Sequence, residues 1–514
     1  MATAYANESA LARNLLNSVL ALAFPENLAT DAAAQQLFLA QLPQLKRILQ
    51  HQNVFGLVDA GKALDKFQTK LFYLIDQPPA VLDKYVRAAA FELQLVVVQQ
   101  CAMEQLEQLT PKLIERVIKT VKYQQDAGSN PVLVPALSVA AVVVRNIELL
   151  TPEVRRELYD NFSKFLPFVL SQLQALGSKS VLTPSDVELW VSGVQVFTEL
   201  LEVSPNALRI YATKIEQVCA LMFQYPESFA KSKSQKALTV GAKCIGLLSN
   251  ASDKTPTLWK QIVERAIEMV NLQVDLLSGK RPSSSSNQQQ GTHKGWVKDN
   301  SVAADALLSV YQRSELALLR LQIATSAIAE SMKSRSISER EVQLVINDVI
   351  TLARRALAEL SLRILSVTVE RAGICALRHA SKIIKVLRVA SENGSRDSHD
   401  ALYNTISVCV RALGASTVEK LGVPLLEEIV ARCKADLENK PVNGGASDGV
   451  DSTPAAASLA DKKGGNNNNK GKKRKRQAEV AQLSESAAST LPFVSSHRQS
   501  LLARNVDAAL LSIA

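Results

Sequence analysis

The stretch GICALRHASK (373–382) sets Cys375 and His379 one helical turn apart, a spacing at which a thiolate and an imidazole can share a zinc ion. A structural zinc site needs a second pair of ligands. The other cysteines, Cys101, Cys219, Cys244, Cys409 and Cys433, are widely scattered and form no Cys-x-x-Cys motif. They read as reduced thiols packed like small hydrophobes, as in a cytosolic or nuclear chain, and Cys375 and His379 read as packing residues. His51, His293, His379, His399 and His497 stand far apart in sequence, and acidic neighbours such as Glu427 and Glu428 fall on an ordinary helix face. The chain has no phosphate-binding glycine loop, no nucleophile elbow and no His-Glu-x-x-His zinc motif. No catalytic residue, cofactor site or metal site is assigned, and an enzyme is not expected.

The strongest short motif is KGKKRKR, made of Lys470, Lys472, Lys473, Arg474, Lys475 and Arg476. Like charges in succession repel and keep such a segment extended and solvated. In that form it can lie along the acidic groove of a nuclear import receptor, which is the first reading. Contact with RNA phosphates through counterion release is the second and is compatible with it; a bare solubility tail is the third. From Asp461 to Arg476, eight basic residues against one acid supply +7 of the formal charge of +10, so the rest of the chain is close to neutral. The body is therefore not a general nucleic-acid clamp.

Trp190 and Trp259 stand in helical stripes and read as core anchors. Trp296, in GTHKGWVKDN, has Lys294 and Lys298 beside it and could stack on a base or fill a partner's pocket.

These residues are carried by a 514-residue chain that is 47% hydrophobic and only 5% aromatic. Small and medium aliphatic side chains fill stacked helices in this way. Apolar residues recur at a period near 3.6 almost throughout. In LTPEVRRELYDNFSKFLPFVLSQLQAL (150–176), Thr151 is a candidate N-cap, Pro152 suits the first helical position and Glu153 suits the N-terminal dipole. Val154, Leu158, Phe162, Phe165, Leu166 and Val169 share a stripe, and Pro167 is expected to bend or divide the helix. The same Ser/Thr-Pro signature predicts helix starts at Thr110, Thr183 and Ser204. Their spacing is that of helix-hairpin arrays of the HEAT or armadillo kind. The valine-rich runs FELQLVVVQQ and LSVAAVVV have helical flanks and no hairpin turns, so they are expected to be buried helix.

The expected fold is all-α: an irregular armadillo/HEAT-like helical-repeat solenoid with a disordered C-terminal tail. Residues 1–277 are read as an N-terminal array and 278–300 as a flexible insertion without apolar periodicity. Residues 301–438 continue the array, and 439–494 form a low-complexity tail holding the basic run. Residues 495–514 can form a short amphipathic helix with Leu501, Leu502, Val506, Leu510 and Leu511 on one side, either folded back on the array or docking a partner. No export signal is expected from MATAYANESALARNLL, and the longest apolar stretch, 131–144, is too short to span a bilayer, so a soluble intracellular protein is expected.

Four stretches in order carry a family resemblance: ALDKFQTKLFYLI (63–75), then PVLVPALSVAAVVVRNIELLTPEVRRELYDNFSKFLPFVLSQL (131–173) with Asn161, Leu166 and Pro167, then 225–277 with Trp259, then VYQRSELALLRLQIATSAIAESM (310–332). Their succession resembles the Rix family of pre-ribosomal RNA-processing scaffolds, whose animal members are the proline-, glutamic acid- and leucine-rich proteins. The resemblance spans roughly 55–390. The LxxLL motif and the long acidic, proline-rich region of the animal proteins are not found here. The resemblance implies a non-enzymatic, homodimeric scaffold in assembly of the large ribosomal subunit, in the nucleolus and nucleoplasm. Its implied partners are a WD-repeat propeller protein, a second helical-repeat protein and a midasin-type AAA ATPase, on precursor particles whose internal transcribed spacer is being removed. The alternative is a karyopherin/armadillo-type nuclear transport adaptor, which would bind the basic signals of others through a ladder of Trp and Asn. No Trp-x-x-x-Asn ladder occurs in this chain.

Overall fold

The computed structural model describes residues 2–57, 62–78, 81–123, 131–231, 236–252, 255–277, 296, 308–334, 337–356, 359–393 and 399–414, with Glu419, Glu427, Val430, Ala431 and Lys434 beyond. Among these residues every regular element is a helix. They fall into two compact units, one up to Ala356 and one after it.

In the first unit the chain begins with α1 (Ala2–Ala23), α2 (Ala32–His51), the single turn α3 (Val54–Leu57) and α4 (Lys62–Asp76). Next come α5 (Lys84–Gln100), α6 (Met103–Tyr123), α7 (Leu133–Arg145), α8 (Pro152–Leu176) and α9 (Pro184–Val203). The short helices α10 (Ala212–Cys219), α11 (Leu221–Gln224) and α12 (Pro226–Lys231) lead to α13 (Lys236–Leu247) and α14 (Thr255–Leu277). The unit ends with α15 (Val310–Met332) and α16 (Glu339–Ala356), so 310–356, expected to belong with 301–438, pack with the N-terminal helices.

Alternate helices touch. One row runs α5, α7, α9, α13, α15 by successive contacts, and a second runs α6, α8, α10, while α14 packs on α15 and α16. Two rows of alternating helices are the architecture of an irregular helical-repeat solenoid, the expected fold class. Side-chain chemistry sorts the rows. In α7, Leu133, Leu137, Val139, Ala140, Val143 and Val144 are all buried, and a helix apolar on every side must be enclosed. The two valine-rich runs are accordingly interior helix, in α5 and α7. By contrast α8 buries only one face, with Leu158, Phe162, Phe165, Leu166 and Val169 inward as the stripe predicts, and Val154 half-buried.

The proline signatures divide. Thr183 caps α9 by a reciprocal box with Asp186, and Thr151–Pro152 opens α8 without a side-chain cap bond. Thr110–Pro111 is no helix start: α6 begins at Met103 and runs through Pro111. Pro167 likewise does not divide α8. In α6, buried Leu106, Leu113, Ile114, Val117 and Val121 flank the ring, and the Thr110 hydroxyl donates to the Leu106 carbonyl at 2.7 Å. Burial of a whole stripe outweighs the lost hydrogen bond and the crowding of one proline, about 3 kcal/mol. Ser204–Pro205 opens a 3-10 segment, Pro205–Tyr211, and only then α10, so the helix expected over 204–223 is broken into pieces.

Indole N–H groups lock neighbouring helices. Trp190 of α9 donates to the Val218 carbonyl of α10 at 2.9 Å, and Trp259 of α14 donates to the Ser331 carbonyl of α15 at 3.0 Å. Both rings are fully buried, as core anchors should be. Where α13 meets α15, a Cβ on Gly246 would lie 2.7 Å from the Ser331 amide nitrogen and 2.8 Å from the Glu330 carbonyl carbon, so only glycine allows this approach.

The second unit contains α17 (Glu359–Ala372), a 3-10 segment (Gly373–His379), α18 (Ala380–Asn393) and α19 (His399–Leu413). The two helices α17 and α19 pack together, with Leu362, Leu365 and Val369 of one and Leu402 and Ile406 of the other buried, and Thr405 Oγ1 donates to the Leu362 carbonyl at 3.1 Å.

Candidate functional site

The sequence-predicted contact residues Lys470, Lys472, Lys473, Arg474, Lys475 and Arg476 lie outside the described residues, as do Leu501, Leu502, Val506, Leu510 and Leu511. The tail 439–494 and the insertion 278–300, apart from Trp296, lie outside them too.

Cys375 and His379 sit half-buried in the 3-10 segment of the second unit. The His379 pKa is lowered, first by burial and then by Lys382 and Arg378, so the ring is disposed to be neutral. No group of three His, Cys, Asp or Glu residues arranged to hold a metal occurs among the described residues. Burial pushes the thiol of Cys101 up to about 11 and that of Cys409 up to about 12. Cys219 is raised by its contact with Cys244 and by burial. Such thiols stay protonated and unreactive near neutral pH.

Trp296 is where sequence reasoning went astray. Its ring is not held out for a base or a partner: it is 4% exposed, stacked on Phe223 of α11 with centroids 4.9 Å apart and planes 21° apart. Its Nε1–H donates to Glu216 Oε1 of α10 at 2.9 Å, and the same oxygen accepts from Arg265 Nη1 of α14. Arg320 of α15 fixes the backbone beneath, donating from Nε to the Phe223 carbonyl at 2.9 Å. Burying an indole beside an ion pair stabilises more than leaving it in water, and composition could not reveal the seat because its walls come from three separate helices.

A different feature is open. Between α6 and α8 lies a cleft of about 620 Å³ whose apolar lining is Pro111 and Ile118. From α6 it is walled by Lys112, Glu115, Lys119 and Lys122, and from α8 by Glu157, Asn161 and Lys164. Four lysines against two glutamates leave the walls net positive. Lys119 pairs with Glu115 at 2.7 Å, and the Lys122 ammonium lies 5.5 Å from the Phe168 ring centroid. Among the described residues neither Lys112 nor Lys164 forms an ion pair. One turn along α6 from Lys112, Arg116 donates from Nη2 to Asp76 Oδ2 at 2.6 Å and covers the Phe72 ring at 4.1 Å. In sequence, Lys112, Lys119 and Lys122 show as one polar stripe of α6, but nothing local says that α8 supplies the opposite wall.

The fold and this surface define a helical-repeat protein with a charged outward groove and an aliphatic interior. No known protein-family model matches the chain, and no curated protein matches it. Among solved structures it is similar to Kap121p in a crystal structure of Kap121p bound to Nup53p, at 10% identity with a TM-score of 0.24, covering 83% of this chain. The match spans about half of that protein, 52% of its chain. No described helix is long and apolar enough to cross a membrane.

Proposed function

We propose that the protein is a non-enzymatic scaffold in nuclear assembly of the large ribosomal subunit. It acts during removal of the internal transcribed spacer by holding protein partners together. The observation that carries this reading is the Rix-like order of segments from 63 to 332, borne on stacked helices that turn charged faces such as the α6–α8 groove outward. The partners are a WD-repeat propeller protein, a second helical-repeat protein and a midasin-type AAA ATPase; a second copy of the chain completes the assembly. The basic run from Lys470 to Arg476 supplies nuclear import and a contact for precursor RNA.

Affinity purification of the tagged full chain followed by mass spectrometry and RNA sequencing tests it. Large-subunit precursors, unprocessed spacer RNA and a WD-repeat protein should accompany the chain. Recovery of a Ran-type GTPase with cargo, and of no precursor particle, would replace this reading with a transport adaptor.

A further inference from the structure

We propose that the cleft between α6 and α8 is a docking site for an acidic, extended peptide segment of a partner protein. The surface stands on its own geometry and holds whether or not the partner belongs to a ribosome precursor.

Three observations carry it. The first is the arrangement of charge. Lys112 and Lys122 lie about 15 Å apart along α6 at about 1.5 Å per residue, and Lys164 faces them from α8. That separation matches a peptide of about five extended residues. The second is that Lys112 and Lys164 are exposed and lack intramolecular carboxylate partners among the described residues, so a ligand's acids need displace no existing pair. The third is Asn161, half-buried in the wall. Its amide offers both a donor and an acceptor, the complement of a peptide group, and so favours a main chain lying in the groove.

The same walls disfavour nucleic acid. A phosphate backbone needs an unbroken track of cations, and Glu115 and Glu157 interrupt it. No aromatic side chain lines the cleft to stack a base. Discrete carboxylates can be placed opposite Lys112, Lys122 and Lys164 while avoiding the two glutamates. Because the cations are exposed, each pair contributes little alone and is screened by salt. Binding is therefore weak, additive over several acids and strongly salt-dependent.

The test uses the full chain with Lys472, Lys473, Arg474, Lys475 and Arg476 changed to Ala, which removes a competing cation run. A fluorescein-labelled peptide of mixed Asp and Glu, roughly ten residues long, is titrated by anisotropy, with an oligouridylate of similar length as the second probe. The double change Lys112→Glu and Lys164→Glu should weaken peptide binding about tenfold, and Lys112→Gln with Lys164→Gln about threefold. Raising salt should remove most of the difference. Circular dichroism melts should be unchanged, since both positions are exposed; if the reversed chain were misfolded, the Gln variants decide. Peptide affinity within about twofold of the parent in both double variants would overturn the proposal. So would tighter binding of oligouridylate that the charge reversal abolishes, which would make RNA the occupant.

Discussion

Replacing Gly246 by Ala sets helix propensity against packing, and the structure decides the sign. In an isolated helix the change would stabilise by about 1 kcal/mol, because alanine loses less backbone freedom on folding. Here the added carbon would sit 2.7 Å from the Ser331 nitrogen, 2.8 Å from the Glu330 carbonyl carbon and 2.9 Å from the Glu330 Cβ. Ordinary carbon contacts need about 3.5–4.0 Å, so α13 and α15 would have to part by about 1 Å. Retreat is blocked on the other flank, where α13 packs so closely that a Cβ added at Gly241 would lie 2.6 Å from Trp190 Cη2 of α9. A shift of α15 away from α13 would also strain the bond that its Ser331 carbonyl accepts from Trp259 of α14, 3.0 Å in the native packing. Overpacking costs about 1–3 kcal/mol and a weakened buried hydrogen bond about 1 kcal/mol more, against about 1 kcal/mol gained in propensity. The expected net loss is about 1–3 kcal/mol. Trp190, Trp259 and Trp296 all lie in the first unit, so urea unfolding followed by tryptophan fluorescence reports that unit alone. A Gly246→Ala chain with an equal or higher unfolding midpoint would show that propensity governs, and the close helix approach would be refuted.

Trp296→Ala should destabilise the first unit more than Trp296→Phe. Phenylalanine keeps the stack on Phe223 and loses only the N–H to Glu216, about 1 kcal/mol; equal melts for both variants and the parent would remove the seat. Phe162→Ala should cost about 3–5 kcal/mol in the same fluorescence assay, and a cost under about 1 would contradict burial of the α8 stripe. Asp186 is desolvated, which raises its pKa, but its bonds to Lys179 and Thr183 together hold it below the usual carboxylate value. A lowered folded pKa stabilises above the unfolded value of about 3.9 and ceases to do so as pH falls through the folded one. The urea midpoints of wild type and Asp186→Asn should therefore differ most near neutrality and converge in acid; a gap that widened in acid would reverse the assignment. Neutralising Lys472, Lys473, Arg474, Lys475 and Arg476 should shift a fluorescent fusion out of the nucleus with no change in its melt, and unchanged localisation would favour the phosphate-contact or solubility readings.

By itself the amino-acid order determined what depends on neighbours along the chain. The 3.6-residue spacing of Leu158, Phe162, Phe165 and Val169 is a property of one helix, and so are the Thr183–Asp186 cap and the enclosure of the valine-rich α7. Local signals misled where their energies were small beside burial. Pro111 and Pro167 lie inside helices because each proline penalty is exceeded by a buried stripe several residues long. Only tertiary structure decided matters in which partners lie far apart in sequence. Trp296 meets Glu216 across 80 residues, and Arg320 meets the Phe223 carbonyl across 97. The cleft, too, exists only because α8 packs beside α6, giving the lysines of one helix an opposite wall on another. Helical periodicity says which face of each helix is buried, but not which helix covers it, because stacking of aliphatic surfaces is nearly non-directional and the choice of neighbour is made by shape.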